Sequence, residues 1–93
     1  MGSQPDSSEY APLPQSPEEV RDEQRRLRRL QIMMNMVMSV IGQDSSLTVD
    51  EASEMVADTR RAALAMFPGK ELAFDLLYRP RLQRLMRERF RIQ

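Results

Sequence analysis

Nine of the twelve residues at positions 30–41 are apolar, and four of those nine are Met. Twelve residues fall well short of the roughly 20 a membrane-spanning helix needs. No turn dipeptide or apolar–polar alternation divides the run into strands. The segment must be a helix covered by protein on several sides, and it sits inside a longer helical pattern. Val20, Leu27, Leu30, Met34, Val37 and Ile41 recur at steps of seven, three, four, three and four, the spacing of one helical face. Upstream, Ser16-Pro17-Glu18-Glu19 is the signature of a capping box with Pro at the first helical position. The pattern predicts a first helix over about 17–41, stopped at Gly42.

The rest of the chain divides by the same punctuation. Thr48-Val49-Asp50-Glu51 forms a second capping box, with acids in the first turn where the helix dipole favours them. Val49, Ala52, Val56, Ala63 and Phe67 make an apolar stripe that Pro68-Gly69 ends, predicting a helix over about 49–67. Positions 70–78 carry Leu72, Ala73, Phe74, Leu76, Leu77 and Tyr78, enough apolar residues to assign this short helix to the core. Pro80 lacks the amide that would continue the helix, so a kink or short break separates it from a last helix over about 80–91, with Leu82, Leu85, Met86 and Phe90 at helical spacing. The fold class that follows is all-α: a small antiparallel helical bundle of three to four helices. Residues 17–93 form its single domain. Residues 1–16 hold Pro5, Pro12 and Pro14 and little that is apolar beyond Tyr10 and Leu13, the composition of a disordered tail. Its Pro-rich composition suits either a recognition segment or a linker.

The absence of Cys and His narrows the chemistry. It removes disulfides, thiol nucleophiles, the usual zinc sites and the side chain most often used for acid and base work near neutral pH. The acidic positions Asp50, Glu51, Glu54 and Asp58 lie on one side of the second helix, but the carboxylate metal template of helical bundles also requires His. A solvated or salt-bridged face is the reading adopted. No catalytic residue, cofactor site or metal site is assigned, and the chain is read as a non-enzyme. With neither a transmembrane stretch nor a signal-like N-terminus, a cytoplasmic location is the default expectation.

Fourteen basic and fourteen acidic residues cancel to zero net charge, which argues against a dedicated polyanion binder. The cancellation is between segments: −2 over 1–16, +1 over 17–42, −4 over 43–78 and +5 over 79–93. The last segment, 79–93, with six Arg against Glu88 alone, can answer the acids of the second helix, within the chain or across two chains.

Two functions follow from these surfaces. The first is a protein-interaction module that self-associates, possible homodimer included, or docks another protein through the Met-rich helix face, with Ile32, Met33, Met36 and Val40 as partner-binding residues. The alternative is a nucleic-acid or phosphate-binding accessory protein that uses Arg84, Arg87 and Arg91, spaced to share one helical face.

Overall fold

Two hydroxyl caps set where the long helices begin. In the computed structural model, which describes residues 16–91, Ser16 accepts a hydrogen bond from the Glu19 amide at 3.1 Å and opens α1, Pro17–Gln43. Only the Ser half of the expected capping box forms there. At α2, Val49–Met66, both halves are made: Thr48 Oγ1 accepts from the Glu51 amide, and the Glu51 carboxylate accepts from the Thr48 amide. A Pro68-Gly69 turn leads to α3, Glu71–Leu77, and α4 follows at Arg79–Phe90. In the turn the Lys70 amide donates to the Phe67 carbonyl, and Gly69 takes φ 79°, the left-handed backbone that favours glycine. Among the described residues the four helices are the only regular elements, as the periodicity requires.

Several boundaries differ from the expected ones, α2 ending at Met66 and the start of α3 and of α4 each shifting by one residue, to Glu71 and Arg79. α1 runs through Gly42, because the terminating geometry lies at Asp44, whose amide donates to the Val40 carbonyl. The Asp44 side chain then turns the loop by accepting from both the amide and the hydroxyl of Ser46. α3 ends at Leu77, and Tyr78 alone separates it from α4, with Pro80 in the first turn where its missing amide costs nothing. α4 stops at Phe90, and Arg91 leaves the helix with φ 53°. The assignment of residues 1–16 to a tail concerns positions that, but for Ser16, lie outside the described residues.

α1 is the spine. Its stripe of Leu30, Met34, Val37 and Ile41 is buried and meets Ala52 and Ala63 from α2, Phe74 from α3 and Leu82 from α4 in one core. Early α1 residues meet late α2 residues, so those helices are antiparallel; α4 runs alongside α1 in the same sense, with Leu85 beside Gly42. The alanines let α2 approach closely. The α2 stripe also includes Thr59, buried because its hydroxyl donates to the Met55 carbonyl at 2.7 Å and so needs no water. No helix among the described residues is long and apolar enough to cross a membrane.

The expected place of α3 in the core is corrected by the structure. Only Phe74 is buried there; Leu72, Leu76 and Leu77 are 72%, 67% and 63% exposed. A seven-residue helix can turn only one side toward a core, and the length of the two turns leaves its other apolar sides uncovered. The contrast sets a stability test: Leu82→Ala, at a fully buried position, should lower unfolding free energy by about 2–5 kcal/mol. Leu72→Ala should change it by less than about 0.5 kcal/mol, both read by urea denaturation.

Candidate interaction surfaces

The Met-rich block of α1 divides by direction. At about 100° per residue, Leu30, Met34, Val37 and Ile41 turn to the core, while Ile32 and Met36, an i,i+4 pair, turn to the opposite side. Ile32 is 55% and Met36 60% exposed. Val40 extends their line and is half-buried, whereas Met33 is half-buried against the core, over Leu47 and Met55. Of the four residues assigned to partner binding, two therefore face outward and two flank them. The same side of α1 continues upstream as Arg25, Arg28 and Arg29, all exposed, so it is basic at one end and apolar at the other.

A second surface was not legible in the sequence. α3 packs closely on α2 and α4, while its backbone stands clear of α1, and between α3 and α1 lies an apolar groove of about 240 Å³. Leu27, Leu30, Leu64, Phe67, Ala73 and Leu77 wall it, with Glu23 and Lys70 at its edges. Arg26 lies over the ring of Phe67, one of the groove's walls, 5.8 Å from its centroid. Leu72 and Leu76 continue from the groove as a ridge along the outside of α3. The sequence signal was present in the apolar content of α3, but it indicates burial equally by the chain's own core or by another surface.

α3 is held in this position by the one interhelical ion pair among the described residues. Arg60 Nε and Nη2 donate to the two carboxylate oxygens of Asp75 at 3.0 and 3.1 Å, a two-pronged contact that fixes direction as well as distance. The Arg60 hydrogen bonds pull the Asp75 carboxyl below its ordinary range, and the Asp75 partner raises the Arg60 guanidinium. The Asp44 carboxyl is also lowered, chiefly by the Ser46 hydroxyl.

The charged faces do not meet as expected. Arg84 and Arg87 are exposed on α4 and pair with no α2 acid among the described residues; Arg91 is exposed beyond the helix end, off the face the other two share. The engaged α4 arginine is Arg89, which donates to the Asp44 carbonyl at 2.9 Å. On α2, Glu51 is committed to the capping box and Asp58 to Arg61, one turn away, while Asp50 and Glu54 are exposed. No group of three acids close enough to hold a metal occurs among the described residues. No protein-family model, curated protein or solved structure matches this chain.

The Arg60–Asp75 pair carries a pH signature. Because the Asp75 carboxyl is depressed in the folded chain, its stabilisation is complete above the unfolded value of about 3.9 and is lost as pH falls through the folded value. Asp75→Asn should therefore lower the melting temperature near neutral pH, and the difference from wild type should shrink once the solution is more acidic than the depressed value. Parallel thermal melts from about pH 7 to about pH 2 would show it.

Proposed function

We propose that this chain is a non-enzymatic interaction module that docks a partner protein on the outer side of α1, through Ile32 and Met36 with Val40 and Met33 at their flanks. The observation that carries the reading is the pair of large apolar side chains more than half exposed on the side of α1 opposite the core. The fold gains nothing from them there, and apolar residues presented in a row are what a docking partner covers. Met36 adds adaptability, since its unbranched thioether chain can fit an irregular partner surface. The arginines upstream on the same side give that partner a polarity: an apolar segment followed by acidic residues.

The test is capture with purified full chain, followed by titration of the captured protein. Ile32→Glu and Met36→Glu should each weaken binding at least tenfold, with helical circular dichroism unchanged. A partner bound equally by wild type and both variants, or no partner at all, would overturn the reading.

A second reading rests on a different observation, the exposure of Arg84 and Arg87 without an α2 acid between them and solvent. The two share one face of α4 and suit phosphate contact by a nucleic acid, with Arg91 exposed beyond the helix end. Fluorescence anisotropy with labelled duplex and single-stranded oligonucleotides should then show binding that weakens steeply with salt. The logarithmic slope should fall by about 2 in the Arg84→Ala, Arg87→Ala double variant. No binding at low salt ends this second reading.

A further inference from the structure

We infer that the groove between α1 and α3, with the leucine ridge beside it, is a homodimer interface: each copy seats its α3 ridge in the groove of the other about a twofold axis. The surface is distinct from the outer side of α1 and goes beyond the docking function proposed above. Its form supplies the first reason. A twofold interface uses one patch on both copies, so that patch must hold a hollow and the projection that fills it. Here α3 provides both, since Ala73 and Leu77 wall the groove while Leu72 and Leu76 stand out from the same helix.

The area supplies the second reason. Leu27, Leu72, Leu76 and Leu77 are 42%, 72%, 67% and 63% exposed and lie side by side across the groove and ridge. Together they present roughly 400 Å² of surface, within the range of patches that are often functional. A stable interface buries about 800 Å² per partner, of which roughly 60% is apolar, so the patch supplies most of the apolar area one half of a dimer requires.

Charge supplies the third. Glu23 stands at the α1 edge of the groove and Lys70 at the α3 edge, and neither forms an ion pair among the described residues. A rim that carries one unpaired acid and one unpaired base is self-complementary, since a twofold axis lets the acid of each copy pair with the base of the other.

Sedimentation velocity on the full chain, from about 5 to about 500 µM, should show a monomer–dimer equilibrium. The Leu76→Glu, Leu77→Glu double variant should weaken dimerisation by at least about 100-fold without loss of helicity, both positions being largely exposed. A charge exchange reads the interface without touching the apolar surface: Glu23→Lys should weaken the dimer, and adding Lys70→Glu should restore it. Met36→Glu should leave the dimer intact, which separates this surface from the outer side of α1. A wild type that stays monomeric throughout overturns the inference and leaves the groove to another protein or to residues 1–15. So does a dimer that survives the leucine substitutions, or one broken by Met36→Glu instead.

Discussion

Everything else in this fold depends on the burial of one stripe of α1. Leu30, Met34, Val37 and Ile41 form the only surface to which the other helices jointly converge, and Ile41 and Leu82 are completely shielded where α1 meets α4. Small residues on α2 make the approach possible, because Ala52 and Ala63 put backbone rather than side chain against that stripe. A chain this short has few such contacts, so the removal of one large member leaves a void that the rest cannot collapse to fill.

The other surfaces follow from the mismatch between a 27-residue spine and the shorter helices that cover it. α2 and α4 account for the core side of α1 over its C-terminal half. Upstream, the same apolar stripe continues through Leu27 and Val20 with less to cover it, and both residues are partly exposed. α3 packs on α2, tied by Arg60 and Asp75, and joins the α1 stripe at the core through Phe74, while its backbone stands clear of α1. The groove is the space left by that arrangement, and its apolar lining is the uncovered end of the core rather than a separate feature.

Electrostatics in the molecule is local. The acidic and basic segments that cancel in the total charge do not neutralise one another across the α2–α4 contact; acids are taken up by caps, by the turn at Asp44 and by arginines one turn away. Exposed pairs of that kind contribute little to stability. The one pair that bridges helices among the described residues adds to the burial of Phe74 in holding α3, and so in setting how the exposed leucines are presented.

The sequence alone determined the all-α class and most of the helix limits, and left the count at three or four, because caps, prolines and apolar spacing act within a few residues of one another. The Ser16 and Thr48 caps, the Pro68-Gly69 turn and the break at Pro80 could all be read from neighbouring positions. The core side of α1 was equally legible from its period. Only the tertiary structure decided which apolar residues the chain covers for itself. Leu30 and Leu76 are the same side chain on helical segments of similar apolar content, yet one is buried and the other is exposed. That outcome depends on whether another helix lies within reach, and reach is fixed by helix lengths and by the Arg60–Asp75 tie rather than by any local pattern. The same limit applies to charge: sequence counts the arginines of α4, and only packing shows that Arg89 is engaged while Arg84 and Arg87 face solvent.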